Sequence, residues 1–362
     1  MSNETKNNLL VATSKGLAVY QKMGNRWIFD TMHFLGMPVS VAKQDPRNGH
    51  WWVCLAHKHW GPKVHYSINQ GEDWLEVSSP KYPEGTEVKP GVSATLKYIW
   101  TLEMGNADRP GEIWFGTEPG GLFHGNDHEH FELNESLWAH PSRIDHWFGG
   151  GRNHPGIHSI VVDPRDSHQV FIAISCAGVF ETQDGGANWI VRNKGLKADF
   201  LPNPYVEVGQ DPHLILQCKH HPDVFWQQNH CGIFRSTDYA QSWQEVTDKT
   251  GITKYGFTIA IDDDDPDKAW VIPATSDDKR VAINGALVVY YTEDGGKTWT
   301  DYREGLPQTH AFDIVLRHAL AKDHDTMAFG TNIGNLFISE DAGKSWQALN
   351  HNLPTIYSVE FA

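Results

Sequence analysis

A short pattern that recurs along the chain constrains its fold more than any other feature. It has Ser or Thr, then Asp or Asn two positions later, Gly after two more, and Trp three further on. Five copies are recognised, one of them with Ala240 in place of Gly: Ser67–Trp74, Thr182–Trp189, Ser236–Trp243, Thr292–Trp299 and Ser339–Trp346. Two degenerate copies are Gly121–Asp127, followed by Phe131, and Gly16–Tyr20, followed by Trp27.

The pattern predicts a hairpin turn between two β-strands. The carboxylate or amide oxygen accepts hydrogen bonds from backbone N–H groups across the turn. Gly adopts a backbone angle that a Cβ would oppose, and Trp packs between neighbouring sheets. We assign these structural roles to Asn69, Asp184, Asp238, Asp294, Asp341, Trp74, Trp189, Trp243, Trp299 and Trp346.

The closing aromatic residues recur every 47 to 58 residues, the length of a four-stranded propeller blade with its loops. The last segment, Ile356–Phe361, resembles an innermost strand with nothing after it, whereas the N-terminus begins with a second strand, Leu9–Thr13. Pairing the two ends closes a ring and removes both free sheet edges. The sequence therefore predicts an all-β fold, a single seven-bladed β-propeller over residues 1–362. Its antiparallel four-stranded blades span about 1–30 with 354–362, 37–79, 96–133, 155–192, 211–247, 255–303 and 309–350.

The five copies resemble the Asp-box, or BNR, repeats of the sialidase-like superfamily, and the resemblance covers nearly the whole chain. In type the chain is closest to single-propeller bacterial proteins called glycosyl hydrolase-like or exo-sialidase-like from the repeat alone. The superfamily also holds xyloglucan-active glycosidases and photosystem assembly factors, so the resemblance implies a fold rather than one activity. Sialidases hold a carboxylate with three arginines and use a Tyr–Glu pair with an acidic Asp. No such triad can be assembled from Arg143, Arg152, Arg280 and Arg317, which argues against sialidase activity as such.

The net charge and the cysteine pattern limit the classes of partner and the compartment that we expect. The formal net charge is −15, which repels phosphate backbones and anionic lipid headgroups, so we expect neither nucleic acid nor membrane as a partner. The four cysteines form no CxxC pair and lie in apolar segments, which indicates buried free thiols. No signal-peptide pattern and no run of membrane-span length is visible. These features predict a cytoplasmic protein of undetermined oligomeric state.

Candidate functional residues gather on the face where loops enter the innermost strands. The residues that end second strands are polar and include Glu118, Asn229 and Asn332. They either line a hydrated channel mouth or satisfy backbone groups of the loops. One step into the innermost strand, the side chains either plug the channel or form a stacking wall for a ligand: Ser40, Trp100, His158, Leu216, Phe257, Phe312 and Tyr357.

The long insertion 134–155 adds Trp147 and Arg152 to this face, and the segment Ser276–Ala282 adds Arg280. Histidines are numerous, 21 in all. Imidazole together with carboxylate suits a divalent transition metal, so a metal is a candidate cofactor whose identity the sequence leaves open. The candidate ligands are His57, His59, His158 and His230, whereas His220, His221 and His318 are expected at surface turns of the opposite face.

Two functions of different class follow from these residues. The first is an enzyme, a hydrolase or lyase, that processes a small molecule or glycan by metal or His acid–base catalysis. Its catalytic residues would be His158, Glu118, His230 and Arg152, with Arg152 meeting an anionic group. Its substrate-binding residues would be Trp100, Trp147, Asn229, Asn332, Tyr357 and Arg280. The second function is a non-catalytic platform for binding or assembling protein partners.

Overall fold

Most of the chain forms strands that pair in antiparallel sheets. The computed structural model describes residues 6–126 and 128–362, so Asp127 of the degenerate copy lies outside the described residues. The strands are β1 (Asn8–Thr13), β2 (Gly16–Met23), β3 (Arg26–His33), β4 (Val39–Gln44), β5 (Trp51–His57), β6 (Gly61–Ser67), β7 (Leu75–Val77), β8 (Glu87–Lys89), β9 (Val92–Ser93), β10 (Tyr98–Met104), β11 (Ile113–Glu118), β12 (Leu122–Gly125), β13 (Glu132–Leu133), β14 (Ile157–Val162), β15 (Val170–Ile174), β16 (Gly178–Thr182), β17 (Ile190–Val191), β18 (Pro212–Gln217), β19 (Phe225–Asn229), β20 (Gly232–Ser236), β21 (Gln244–Glu245), β22 (Gly256–Ile261), β23 (Ala269–Pro273), β24 (Val289–Thr292), β25 (Thr300–Tyr302), β26 (Val315–Asp323), β27 (Thr326–Thr331), β28 (Leu336–Ser339), β29 (Gln347–Asn350) and β30 (Ile356–Phe361).

The sheets are successive four-stranded units. Five of them follow chain order: β4–β7, β10–β13, β14–β17, β18–β21 and β22–β25. An eight-stranded sheet has the order β29-β28-β27-β26-β30-β1-β2-β3. Its two halves pair only through a parallel bridge between His318 and Ser358. The innermost strands β4, β10, β14, β18, β22, β26 and β30 contact one another in that order, and β30 contacts β4, so the units form a ring.

The ends of the chain close this ring in the way the sequence predicts. Strand β30 pairs antiparallel with β1, with Leu9 opposite Phe361 and Val11 opposite Val359. These four side chains are buried in the core. Both strands therefore have a partner on each side, and neither presents a free edge.

The recurring turns contain the predicted hydrogen bonds. In each of the five copies, one oxygen of the Asp or Asn accepts from the backbone N–H four residues later, at 2.9 to 3.0 Å. The Ser or Thr two positions earlier accepts from the N–H at the Gly position, at 2.8 to 3.0 Å. Where Ala240 replaces Gly, it still adopts a positive φ of 56°.

The tryptophans that close the turns pack between neighbouring units. The indole Nε1 of Trp189 donates to Asn134 at 2.9 Å, and that of Trp243 donates to the carbonyl of Arg192 at 2.7 Å. Each acceptor belongs to the preceding unit of the ring. Apolar side chains of adjacent sheets fill the space around them, so the core is divided into layers between the units.

Three features were not expected from the sequence. The insertion 134–155 contains two helical turns, α1 (Glu135–Trp138) and α2 (Arg143–His146). A short 3-10 helix covers Ile283–Gly285, and β8 and β9 form an extra hairpin.

The prediction that His318 lies at a surface turn is wrong, because His318 belongs to the innermost strand β26. No helix in the described ranges is long and apolar enough to cross a membrane.

Candidate functional site

An irregularity near the start of each innermost strand directs side chains towards the channel. The antiparallel register shifts at the same place in β4, β10, β14, β18, β22, β26 and β30. Such shifts leave a residue out of the ladder and re-aim its side chain. The residues left out include Ser40, Trp100, His158, His213, Phe257, Arg317 and Tyr357.

Several of these side chains face one cavity of about 500 Å³, which we call the arginine pocket. Its size is within the range of roughly 300–1,000 Å³ that is typical of ligand sites. The residues that line it are Trp100, Phe148, Gly149, Gly150, Gly151, Arg152, Ser175, Cys176, Phe200, Asp211, His213, His230, Phe257, Asp277, Arg280 and Arg317.

Three arginines line the pocket and stack against aromatic rings. The guanidinium of Arg152 lies 4.7 Å from the centroid of Trp100. The guanidinium of Arg317 lies 5.4 Å from Trp100 on one side and 5.3 Å from Phe257 on the other. The guanidinium of Arg280 lies 5.5 Å from Phe257. The negative faces of these rings attract the guanidinium groups, and they do so without a carboxylate.

The three guanidinium groups differ in their acidic partners. Arg152 pairs with Glu118 and Arg280 pairs with Asp277, and both arginine side chains are nearly half exposed. In the described ranges Arg317 has no ion pair, and its Nε has no hydrogen-bond partner. Burial lowers the pKa of Arg317, while the Asp211 carboxylate acts in the opposite direction. A partly buried guanidinium that lines a pocket without an ion pair is costly unless an anion binds to it.

Beside Arg317 lies a group that could hold a metal ion. Candidate ligand atoms of Asp211, His213 and His230 all lie within 4.8 Å of one another. The Asp211 Oδ2 atom is 3.5 Å from His213 Nε2 and 3.3 Å from His230 Nδ1. The Nδ1 of His213 donates to the carbonyl of Gly256 at 2.6 Å. Since Nδ1 carries that proton, Nε2 of the neutral ring is free to bind a cation, as is usual for metal-binding histidines.

The protonation states suit metal binding. Burial lowers the pKa of His213, so the neutral imidazole is favoured at pH 7. Burial acts to raise the pKa of Asp211, but the neighbouring imidazoles of His213 and His230 outweigh it and hold this pKa well below its usual range. The other carboxylate oxygen of Asp211 accepts from the backbone N–H of Cys176 at 3.1 Å, which fixes its orientation. A charged carboxylate and a neutral imidazole are the forms that bind metals.

The glycine run 149–151 covers this group. A Cβ at Gly150 would lie 2.8 Å from Cys176 Sγ and 3.4 Å from Asp211 Oδ2. No side chain fits there without displacing the thiol. The loop backbone therefore approaches the carboxylate closely, and the space next to Asp211 remains open towards the pocket.

His158 lies just outside the lining of the pocket. Its ring is buried, with its centroid 6.5 Å from that of Trp100, and its Nε2 has no hydrogen-bond partner in the part of the chain that the structure describes. Burial lowers the pKa of His158 well below its ordinary value. The backbone carbonyl of His158 accepts from Nε2 of His318 at 2.8 Å, which links two innermost strands across the channel.

The structure brings some of the predicted site residues together and separates others. The pocket is lined by Trp100, Arg152, His230 and Arg280. Glu118 is not a lining residue, but it forms an ion pair with Arg152. His57 and His59 are not among the lining residues; His57 ends β5 and His59 lies on the turn after it, where His57 Nδ1 accepts from the backbone N–H of His59.

The remaining predicted substrate-binding residues have other contacts. Trp147 is buried in the core and donates to the hydroxyl of Ser142 at 3.0 Å. Asn229 and Asn332 accept from the backbone N–H groups of Cys231 and Ile314, respectively. Tyr357 is not a lining residue of the pocket. The polar residues that end second strands were expected either to line a channel mouth or to bind backbone groups of the loops. Asn229 and Asn332 bind backbone groups.

Sequence reasoning missed Asp211, His213 and Arg317. The alignment placed Leu216 and Phe312 at the positions that His213 and Arg317 occupy. The signal that could have found His213 is the parallel between Gly156-Ile157-His158 and Asp211-Pro212-His213. The statement that no arginine triad can be assembled also needs correction, because Arg152, Arg280 and Arg317 line one pocket. Arg143 lies elsewhere and donates to the carbonyl of Val88.

Comparisons with known proteins establish the fold. No family model matches the chain, and no curated protein matches its sequence. Among solved structures, an ancestral GH74 enzyme is 16% identical over 88% of this chain, with a TM-score of 0.56. The present chain spans only 38% of that enzyme. YCF48 bound to D1 peptide is 13% identical, with a TM-score of 0.52 over 90% of this chain and 86% of its own.

A third similar structure is a candidate 6-phosphogluconolactonase from Bacteroides uniformis. It is 10% identical and has a TM-score of 0.60 over 99% of this chain and 100% of its own. Identities this low carry information about architecture and not about activity. Together with the ring of four-stranded antiparallel sheets, these similarities show that the chain folds as an all-β propeller.

Proposed function

We propose that this protein is a metal-assisted hydrolase that acts on a small anionic substrate in the arginine pocket. The observation that carries the proposal is the presence in one cavity of a potential metal-ligand group and three guanidinium groups. A metal ion bound by the ligand group can activate water, and the guanidinium groups can hold an anion. Neither is needed to stabilise a propeller, whose core lies between the blades.

The ligand group suits a catalytic metal better than a structural one. Asp211, His213 and His230 supply three ligands, and an open fourth position is typical of catalytic zinc sites. A divalent cation there would act as a Lewis acid and lower the pKa of a bound water towards neutrality. In the hydrolysis, the water oxygen bonds to the electrophilic atom of the substrate and the bond to the leaving group breaks. One water proton goes to the leaving group, and the other stays on the product hydroxyl or, where the product is an acid, passes to solvent.

The guanidinium groups favour an anionic substrate. Arg317 has no ion pair among the described residues, so a carboxylate, phosphate or sulfate group would give its guanidinium a charged hydrogen-bond partner. Arg152 and Arg280 flank it and are exposed enough to exchange partners. The resemblance to sialidases does not extend to their Tyr–Glu pair, since the described lining of the pocket contains neither Tyr nor Glu. Sialidase activity is therefore not part of the proposal.

We infer two further points about the architecture. Counting each half of the eight-stranded sheet as a blade gives a seven-bladed propeller in one domain over 1–362, with blade boundaries close to those expected from the sequence. The recurring turns are Asp-boxes of the sialidase-like kind. Their hydrogen bonds and their closing tryptophans support this inference.

A second candidate function is binding of a protein partner. YCF48 bound to D1 peptide has the same fold as this chain. Leu35 and Trp60 are 78% and 77% exposed, and such apolar side chains are suited to protein contacts. This function would require no metal and no bound anion.

Metal binding separates the two candidate functions. The purified protein is dialysed against zinc and its metal content is measured by plasma mass spectrometry. We expect about one zinc per chain in the wild type, and a loss of at least tenfold in affinity for Asp211→Asn and His213→Gln. His57→Gln is the matched control, because His57 lies outside the ligand group, and it should bind zinc normally. No zinc binding by the wild type would contradict the hydrolase.

Activity is tested on the zinc-loaded protein with two anionic chromogenic substrates, 4-nitrophenyl phosphate and 4-nitrophenyl glucuronide. We expect release of 4-nitrophenolate from at least one of them, and its loss on chelation and in Asp211→Asn. Turnover that persists after chelation would contradict the metal-assisted mechanism and leave His acid–base catalysis as its replacement.

A further inference from the structure

A second cavity adjoins the arginine pocket on the same face. It has a volume of about 540 Å³, and we call it the side groove. It lies between the units β18–β21 and β22–β25 and is lined by loops that flank their strands. Phe200, His230 and Asp277 line both cavities, so the two share a wall.

The charges of the side groove are already neutralised. Lys254 pairs with Asp199 at 3.0 Å. Asp277 pairs with Arg280, and the hydroxyl of Tyr255 donates to Asp277 at 3.2 Å. The groove thus differs from the arginine pocket, where Arg317 forms no ion pair with any residue that the structure describes. A charged group is favoured in the pocket, and an uncharged group is favoured in the groove.

The walls of the side groove are largely apolar. Phe200, Ile252, Tyr255 and Ile283 supply aromatic and aliphatic surface, and Thr275 supplies a hydroxyl group at the rim. Phe200 is 41% exposed, although large aromatic side chains are usually buried. Exposed aromatic surface that faces a cavity is typical of ligand sites.

His230 stands at the junction of the two cavities. Its ring meets those of Phe200 and Tyr255 edge to face, with centroids 5.1 and 5.4 Å away. Its Nδ1 lies 3.3 Å from the Asp211 carboxylate. A molecule that occupied both cavities would therefore pass directly over the candidate metal group.

We propose that the substrate has two parts: an anionic group held by the arginine pocket, and an uncharged, largely apolar or planar group held by the side groove. The bond that joins the two parts lies over His230. This inference rests on the proposed function for the site of reaction, but the two-part binding can be tested without turnover.

The test uses a pair of probes that differ only in the anion. The dye 8-anilino-1-naphthalenesulfonate combines a sulfonate with planar apolar rings, and N-phenyl-1-naphthylamine is the same molecule without the sulfonate. Fluorescence titration of the folded wild-type protein should show one site for the sulfonate dye, with an affinity at least tenfold above that of the uncharged dye. Methanesulfonate in excess should displace the sulfonate dye.

Variants of Ile283 locate the apolar part. Ile283→Glu should weaken binding of the sulfonate dye at least tenfold, and Ile283→Gln should weaken it about threefold without changing the charge. The matched controls are Ile190→Glu and Ile190→Gln, since Ile190 is 42% exposed on the outer strand β17 and lines neither the arginine pocket nor the side groove. These controls should bind the dye as the wild type does. The Gln variant keeps the test decisive if the Glu variant is unstable.

Equal affinity for the two dyes, or unchanged affinity in both Ile283 variants, would overturn the two-part substrate. Zinc content is measured on the same samples. Selective dye binding without zinc binding would overturn the proposed chemistry and retain the two-part ligand. Zinc binding without selective dye binding would overturn the two-part ligand and retain the metal site.

Discussion

At the scale of single residues, Arg317 is the clearest sign that the pocket serves a ligand. It lies between Trp100 and Phe257 and has no acidic partner in the described ranges. A partly buried guanidinium group without an ion pair lowers the stability of the free protein. Its retention is explained if the charge is neutralised by a bound anion.

Replacement of Arg317 by Met separates stability from anion binding. Met keeps an unbranched apolar chain in place of the aliphatic part of Arg317 and removes the charge, so the free variant should be at least as stable as the wild type. Sulfate at about ten times its dissociation constant should stabilise the wild type by about 1.4 kcal/mol and should not stabilise the variant. Thermal melts with and without sulfate measure both effects. Arg26→Met, at an exposed position, is the control; an equal sulfate response in all three proteins would refute the anion site.

The partly buried side chain of His318 makes stability depend on pH. Burial lowers its pKa from the ordinary 6.5 to about 4, so the ring is neutral in the folded protein. Its contribution is fully present above pH 6.5 and is lost as the pH falls towards 4, by on the order of 3 kcal/mol. In His318→Gln the amide can still donate to the His158 carbonyl, and the loss over this range should be smaller by about that amount. Denaturant unfolding at pH 7 and pH 4.5 measures it; identical pH dependence of the two proteins would show that His318 is not responsible.

At the scale of elements, the recurring turn was predicted well because its determinants are local. The side chain, the Gly and the Trp all act within eight residues, and the five copies reinforce one another. The starts of the innermost strands were predicted less well. The alignment put Leu216 at the position that His213 occupies, because β18 begins at Pro212, two residues before the strand start expected at Leu214.

Strand β26 shows the same limit. It runs from Val315 to Asp323, but apolar residues on both sides of its start gave no periodic signal for where pairing begins. The meeting of Asp211, His213 and Arg317 depends on register shifts in different strands. Register is decided by contacts between distant segments, which a single sequence does not display.

The turns themselves predict a response to acid. Hydrogen bonds from the Asn188 side chain and backbone lower the pKa of Asp184 to about 2. Its stabilising contribution is present above the ordinary carboxyl pKa and is lost as the pH falls towards 2. Asn69 takes the same role in another copy without a charge. Asp184→Asn should therefore melt close to the wild type at pH 7 and lose less stability between pH 4 and pH 2.

Asp184→Ala supplies the contrast. It removes the acceptor for the N–H of Asn188 and should melt at a lower temperature at both pH values. Thermal melts followed by circular dichroism compare the three proteins. A large loss in Asp184→Asn at pH 7 would show that the charge, rather than the acceptor geometry, holds the turn.

At the scale of the whole molecule, closure of the ring is what makes the propeller a single cooperative unit. Strand β30 provides one inner strand to a unit whose other three strands come from the N-terminus. Its pairing with β1 joins segments about 350 residues apart in the chain. Stability should therefore depend on this strand more than on any outer strand.

Removal of residues 356–362 tests this dependence. The deletion exposes β1 and removes Ile356, Val359 and Phe361 from the core, at about 1.5–3 kcal/mol each. The total is comparable with the free energy that stabilises an entire domain. We expect loss of the cooperative thermal transition, and association through the exposed edge, measured by light scattering. A monomer that melts near the wild-type temperature would contradict ring closure as the source of stability.

The proposed function depends most directly on a cation bound by Asp211, His213 and His230. A crystal of the zinc-loaded protein, with diffraction measured on both sides of the zinc absorption edge, locates the metal without assumptions about activity. We expect one strong anomalous peak beside the Arg317 guanidinium. The peak should lie at about 2.0–2.2 Å from Asp211 Oδ2, His213 Nε2 and His230 Nδ1. Absence of this peak, or a peak only at other histidines such as His57 and His59, would contradict the proposed function.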